Sequence, residues 1–507
     1  MATKKTQYVL IPAAGLVASD QNPKQMQFFQ AMHQAASFTN KIHSLSTEIS
    51  APPIKVLDSI GDNKAKLVEA APEDLAALRA SHPSVRILPV IYFERAVMRY
   101  RVSTGARVSA GGAKAKAAAK LGKAAIRITI TSSKDGKPVA NALVVAFTDF
   151  ANRVGAQGTT NAKGQVGLAL GGSSKTIERL YVYPAFGYWP GLQSKLTLKT
   201  GSKISVQAID LAYVDCVRHF YPGNDLTFGQ GVTVGVIDSG VATNHPGLIV
   251  QGGQNTVPGE KPADYGDNGT EGHGTHVAGI IASRGTPPHG IRGIAPGATL
   301  RSYRVFPQGG NQASNYAIAK AIDVGIADKC DLLNMSLGGG APDTLTEEAL
   351  TAAHDAGVVV FAATGNDDRN PVSFPAANSM CQAVSAMGRK GTFPHGTEPG
   401  GSVAAPYGKD KKNFIASFSN IGPETDLTGP GVGVISTVPA GFGVMSGTSM
   451  ATPAQTGAAA RLLATQKNIL QMSRDQNRAA AMISAIAASC KLLGFGAIYE
   501  GKGMISP

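Results

Sequence analysis

The sequence predicts an α/β chain: a doubly wound, mostly parallel sheet over residues 213–507, preceded by an α+β module of split-βαβ, ferredoxin-like type over residues 1–103 and a small β-sandwich over residues 124–212. Three patterns predict it. From Tyr213 onward, apolar runs suited to buried strands alternate with segments of helical period. From Ala124 to about Asp210, short alternating segments are separated by turn signals. Residues 8–96 run strand, helix, strand, strand, helix, strand.

In the first module the segments are YVLIPAA, KQMQFFQAMHQAAS, PIKVLDSIG turning through Asp62-Asn63 into AKLVEAA, then PEDLAALRAS and VRILPVIYF. Pro23 and Pro72-Glu73-Asp74 mark the helix starts, because proline and acidic residues suit the first helical turn. Lys4 and Lys5 ahead of YVLIPAAGLVA imitate a short signal peptide, but Pro12 interrupts the apolar run and no small-x-small cleavage site follows, so a first strand is expected. The compartment stays open between the cytoplasm and secretion by a non-standard route. Residues 104–123, TGARVSAGGAKAKAAAKLGK, offer no apolar face and are expected to be a flexible, protease-accessible linker. The sandwich is expected from IRITITS, ALVVAFTD, GQVGLAL, RLYVYPAF, KLTLK and ISVQAI, with KDGKP and NAKG as turns. In the last segment the alternation begins at VTVGVID and ends in the helix Met450–Gln466. Asp238 closes VTVGVID and Asn366 follows VVVFAATG, so both are expected at the carboxyl rim of the sheet, where ligands of such folds bind.

The net charge of +13 is unevenly spread: 27 basic against 12 acidic residues precede Tyr213, leaving 20 against 22 beyond it. No RNA-binding signature, zinc-finger spacing or basic helix with interleaved aromatics accompanies the basic part, so no nucleic-acid partner is expected. No apolar run approaches the roughly 18 residues of a membrane span, so no membrane partner is expected either. Cys216, Cys330, Cys381 and Cys490 are dispersed and form no CxxC pair, against a metal knuckle or a dense disulfide framework.

The chemistry gathers on GTSMATP, residues 447–453. Ser449 suits a helix N-cap, yet capping does not account for Asp238 and His273 in their glycine-flanked settings. Amide hydrolysis by a serine needs a base for the hydroxyl proton, a carboxylate to orient that base, and donors for the oxyanion. Ser449, His273, Asp238 and the side-chain amide of Asn366 supply these parts, with the Ser449 N–H as second oxyanion donor and Ser449 serving as both cap and nucleophile. His276, three residues after His273, lacks the glutamate of a zinc motif and is read as a packed neighbour.

At VGVIDSGV, GHGTHVAG, AATGND and SGTSMATP, in this order, the chain resembles the subtilisin-like serine proteases, or subtilases. The resemblance implies a subtilisin-like fold and an endopeptidase acting on protein or peptide substrates through an acyl-enzyme, without cofactors. LNMSLGGG resembles the segment in which Ser336, Leu337 and Gly338 pair with substrate backbone; Ala363, Thr364 and Gly365 would form the opposite wall of the primary pocket, with Ser373 near its floor. A structural calcium common in the family is not expected, because Gly247 stands in NHPGL for its aspartate and RGTPPHGIRG, residues 284–293, replaces its loop. Residues 8–96 resemble the inhibitory, folding-assisting propeptide of these zymogens, here separated from the catalytic part by the sandwich. Cleavage is then expected between about Met98 and Lys123, leaving the sandwich attached. The alternative is a pseudoprotease or binding scaffold whose sandwich docks to a partner.

Overall fold

The computed structural model describes residues 5–13, 15–19, 21–37, 54–103, 125–267 and 272–507; the linker expected over residues 104–123 lies outside them. The amino-terminal module comprises β1 (Thr6–Pro12), α1 (Pro23–Ser37), β2 (Lys55–Ser59), β3 (Lys66–Ala70), α2 (Pro72–Ser81) and β4 (Val85–Pro89). Its antiparallel sheet has the order β2-β3-β1-β4. Alternation along β1 divides the two faces. Leu10 packs with Phe28, Phe29 and Leu78 under the module's own helices, whereas Val9 and Ile11 join Tyr316, Ala317 and Leu350 of the large domain in one apolar cluster. Lys64–Asp323 at 2.5 Å, Lys320–Asp58 at 2.7 Å and Arg86–Glu348 at 2.7 Å rim this contact.

VRILPVIYF, expected as one strand, is two. β4 ends at Pro89, and a separate strand β5 (Tyr92–Arg95) leaves the module. Proline has no N–H to extend the ladder. Asn315 of the large domain then takes the chain over, its Nδ2 donating to the Pro89 carbonyl at 3.1 Å and its N–H to that of Ile91 at 2.7 Å.

The sandwich comprises β6 (Ile126–Ser132), β7 (Leu143–Asp149), β8 (Val154–Thr159), β9 (Gln165–Leu168), β10 (Ser174–Tyr183), β11 (Gly191–Lys199) and β12 (Lys203–Val206), in sheets ordered β11-β10-β7-β8 and β12-β6-β9. β8 was not expected, because its sequence VGAQGT has two glycines and little apolar content. Gly155 is required there: a Cβ would lie 2.0 Å from the carbonyl oxygen of Ala146 on β7.

After the short helix α3 (Cys216–Phe220) the large domain begins with β13 (Thr233–Asp238). Its main sheet adds β14 (Val250–Asn255), β15 (Thr299–Arg304), β17 (Leu332–Met335), β19 (Val359–Ala363), β20 (Cys381–Arg389), β21 (Asn413–Ile415) and β22 (Leu427–Pro430). The order is β14-β15-β13-β17-β19-β20-β21 with β22 also on β20, every pairing being parallel except β20 with β21. This is the doubly wound α/β arrangement. One face carries α4 (His273–Ala282) and α7 (Thr448–Leu463), the other α5 (Asn315–Ala327) and α6 (Thr344–Asp355). Chain order reverses between β13 and β17, which opens the crevice at their carboxyl ends.

Two short strands, β16 (Gln312–Ser314) and β18 (Leu337–Gly338), stand at that crevice with β5 antiparallel between them. The hairpin β23 (Val434–Val438) and β24 (Gly441–Met445) leads into α7.

Candidate active site

Asp238 is the last residue of β13 and is fully buried. Gly274, in the first turn of α4, lets that helix start against the strand end, since a Cβ would stand 2.2 Å from the Gly240 carbonyl oxygen. The adjacent His273 therefore reaches the carboxylate, with Nδ1 at 2.8 and 3.0 Å from the two Asp238 oxygens. A carboxylate accepts here, so Nδ1 carries the proton and Nε2 is left with its lone pair. Nε2 is buried and has no hydrogen-bond partner among the described residues. His276 is different in kind: Nε2 bonds the Val434 carbonyl at 3.1 Å, and burial lowers its pKa to about 3, so it is a neutral packing residue.

Ser449 is not the cap of α7. The helix starts one residue earlier, at Thr448, with Gly447 as N-cap at φ 154°. Only glycine fits that position, because a Cβ would lie 2.6 Å from the Ala96 carbonyl oxygen. The Ser449 hydroxyl donates to the Ser336 carbonyl at 2.9 Å, and its own N–H points out of the first helical turn. Asn366 lies beyond β19. Its Oδ1 accepts from Thr448 N–H at 2.9 Å and from Thr448 Oγ1 at 3.0 Å, which leaves Nδ2 as the amide's donor end. Thr448 thus positions Asn366, a role not legible in the sequence, where SGTSMATP points to its serine and nothing in the spacing links Thr448 to Asn366.

The cleft is occupied by the chain itself. Leu337 pairs with Arg95 and Gly338 with Glu94 on one side of β5, while Gln312, Ala313 and Ser314 pair with Glu94, Phe93 and Tyr92 on the other. Phe93 is buried against Phe374, with ring centroids 6.0 Å apart. Ala96 N–H donates to the Ser336 carbonyl at 3.2 Å, and the Ala96 carbonyl accepts from Ser449 N–H at 3.1 Å. Ser336, Leu337 and Gly338 thus form one edge under an extended segment. Gly338, Gly365 and Ser373 line a cavity of about 450 Å³ beside Ala96 and Asn366. Ala363 and Thr364 lie fully buried behind it, the Thr364 hydroxyl donating to the Asn420 carbonyl at 3.1 Å.

Glu398, also missed in the sequence, is buried beside the strand that precedes Ser449 and accepts from Ser446 Oγ at 3.3 Å. Burial raises its carboxyl to about 7, with Ser446 and Arg99 opposing the shift. A carboxyl raised in the fold favours the folded state most below its unfolded value, and that contribution is lost as pH rises through about 7. Glu398→Gln, neutral at all pH, should therefore match the wild type in thermal midpoint near pH 4.5 and exceed it by on the order of 5 °C at pH 8.5. Scanning calorimetry across this range checks it; a constant offset would mean that the carboxyl does not titrate there.

Among the described residues no group of three or more His, Cys, Asp and Glu is arranged to hold a metal ion. At Gly247 the His245 ring closes the space: its Nδ1 accepts the Gly247 N–H at 3.0 Å, and a Cβ would lie 3.2 Å from the ring and from Ser283 Oγ. No helix among the described residues is long and apolar enough to cross a membrane.

Residues 229–497, just over half of the chain, match the sequence profile described as the Subtilase family. Among curated proteins, Subtilisin DY of Bacillus licheniformis is 34% identical over 283 residues, spanning 55% of this chain and 90% of its own length. Subtilisin BL and Subtilisin Savinase, both of Lederbergia lenta, are each 37% identical over 241 residues, spanning 47% of this chain and 78% of their own length.

Proposed function

Since the chain belongs to the subtilase family and is a subtilisin-like serine endopeptidase, we propose that Ser449, His273, Asp238 and Asn366 perform its chemistry and that residues 1–103 act as an intramolecular inhibitor of a zymogen. The observation that carries this reading is the Ala96 carbonyl on the Ser449 N–H, at 3.1 Å. It is where the carbonyl of a bond under attack belongs.

In the proposed reaction the Ser449 hydroxyl swings from the Ser336 carbonyl to His273 Nε2, gives it the proton and attacks the substrate carbonyl carbon. Asp238 holds the imidazole in the required tautomer and stabilises its charged form. Negative charge on the carbonyl oxygen is met by Ser449 N–H and Asn366 Nδ2. Collapse breaks the C–N bond, His273 protonates the leaving amine, and water attacking through the same groups releases the acid. Ser336, Leu337 and Gly338 would take substrate backbone as they take β5. Protein or peptide substrates would lodge a side chain beside Gly365 and Ser373.

The register supports Ala96–Val97 as the bond cut during maturation, two residues before the interval 98–123 expected from the sequence. Two measurements test this. Amino-terminal sequencing of the first large fragment should begin at Val97, and a fluorophosphonate probe should label Ser449 of the processed enzyme. A fragment starting near residue 210, or an uncut active chain, would overturn the zymogen reading; failure to label would overturn the assignment of Ser449.

A further inference from the structure

Past Ala96–Val97 the chain stays extended and crosses from the catalytic body onto the sandwich. Alternate N–H groups are all engaged: Met98 donates to the Ser446 carbonyl at 2.9 Å, Tyr100 to the Tyr183 hydroxyl at 3.2 Å and Val102 to Gln157 Oε1 at 3.1 Å. The surface that receives this strand has an unusual composition for a sandwich. Along β7 and β10, Val144, Ala146, Leu180 and Val182 point between the two sheets, so Val145, Phe147, Tyr181 and Tyr183 point outward. An outer face left to water is ordinarily polar.

Tyr100 explains the aromatic face. Its ring centroid stands 4.9 Å from that of Phe150 and 5.0 Å from that of Tyr181, and the Arg153 guanidinium lies over it at 4.5 Å. Arg153 also pairs with Asp368 at 3.6 Å, two residues beyond Asn366. A cavity lined by Asn366, Asp368, Arg153 and the chain from Val97 to Tyr100 joins the aromatic site to the reacting bond.

We infer that the outer face of the sandwich is the leaving-group half of the substrate site, an aromatic subsite selecting polypeptides that carry Tyr, Phe or Trp four residues beyond the cleaved bond. This rests on Ala96–Val97 being the cleaved bond, which makes Tyr100 the fourth residue. Phe150, set nearly perpendicular to Tyr100, and the tilted ring of Tyr181 flank a flat apolar side chain, and Arg153, which also lies 4.0 Å over Phe150, adds a cation over its π-face. The two hydrogen bonds from Tyr100 and Val102 N–H are made by any peptide backbone, so the side chain supplies the selection. After the cut Tyr100 remains covalently attached and competes with added substrate from a high effective concentration.

The test therefore vacates the site first. Mature Tyr100→Ala enzyme is given two dodecapeptides with the sequence of residues 92–103, one with Tyr and one with Ala at the position of Tyr100. The Tyr peptide should be cleaved with about tenfold higher kcat/KM. The preference should shrink in the wild type, whose own Tyr100 fills the site, and disappear when Phe150→Ala is added. Tyr100→Gln, which keeps bulk without a ring, serves as second variant should Tyr100→Ala fail to mature. Equal kcat/KM for the two peptides in either emptied enzyme overturns the inference, whereas failure to cut either peptide at its Ala–Val bond overturns the assignment of Ala96–Val97 beneath it.

Discussion

Ser449→Ala should accumulate as the intact 507-residue chain and hydrolyse no peptide. The substitution removes the only atom that can form the acyl-enzyme, and the other groups of the site cannot replace it. Folding should survive. Alanine is the best helix former, and the position lies in the first turn of α7. The Ser336 carbonyl, which loses the Ser449 hydroxyl, still accepts the Ala96 N–H at 3.2 Å, so no buried acceptor is orphaned and the cost is about 1 kcal/mol at most. Intact mass and far-UV circular dichroism read the two halves of this expectation. A shortened Ser449→Ala chain, in the absence of any other protease, would end the proposal that the chain cuts itself.

Asn366→Leu should lower kcat by about two to three orders of magnitude with little change in KM, the scale known for loss of one oxyanion donor in this enzyme class. The Nδ2 donor meets charge that develops only as the carbonyl becomes tetrahedral, so ground-state binding hardly senses it. Leucine keeps the bulk and removes both ends of the amide, including the Oδ1 that Thr448 holds at 2.9 and 3.0 Å. Asn366→Asp is the informative companion: it retains an acceptor for Thr448 but sets a negative charge against the oxyanion, and should be at least as slow. Turnover near the wild-type value in Asn366→Leu would mean that the amide does not face the reacting carbonyl.

The parts of this chain legible in the sequence were those with a strong local period or a long motif. Apolar alternation and helical spacing marked the sheet that ends at Asp238 and the helices of its two faces, because burial on both sides of a parallel strand writes itself as a continuous apolar run. The four motif segments singled out Asp238, His273, Asn366 and Ser449 as candidates on different grounds, the residue types that serine chemistry needs standing in long segments in a fixed order. What stayed hidden depended on partners distant in sequence. β8 holds its place through pairing with β7, not through its own glycine-rich composition. VRILPVIYF breaks in two because Asn315 captures the carbonyls of Pro89 and Ile91. Ser449 looked like a cap because serine is a good one, yet the approach of Ala96 forces glycine into that position. Thr448 and Glu398 are common residues in unremarkable local settings, and only their contacts give them roles.

The double grip on the chain around Ala96–Val97 has a kinetic consequence. β5 is clamped between two strands on one side of the bond, and Met98 and Tyr100 are held on the other. Breaking the bond would not separate its ends. The Val97 amine would remain beside the acylated serine at an effective concentration in the millimolar range or above, competing with water and able to restore the bond by the reverse of the step that broke it. Nicked and intact chains would then interconvert many times before either end departs. The lag before activity appears would be timed by the dissociation of a strand, so a substitution that loosens one grip while sparing the reacting groups would shorten the lag without accelerating any chemical step.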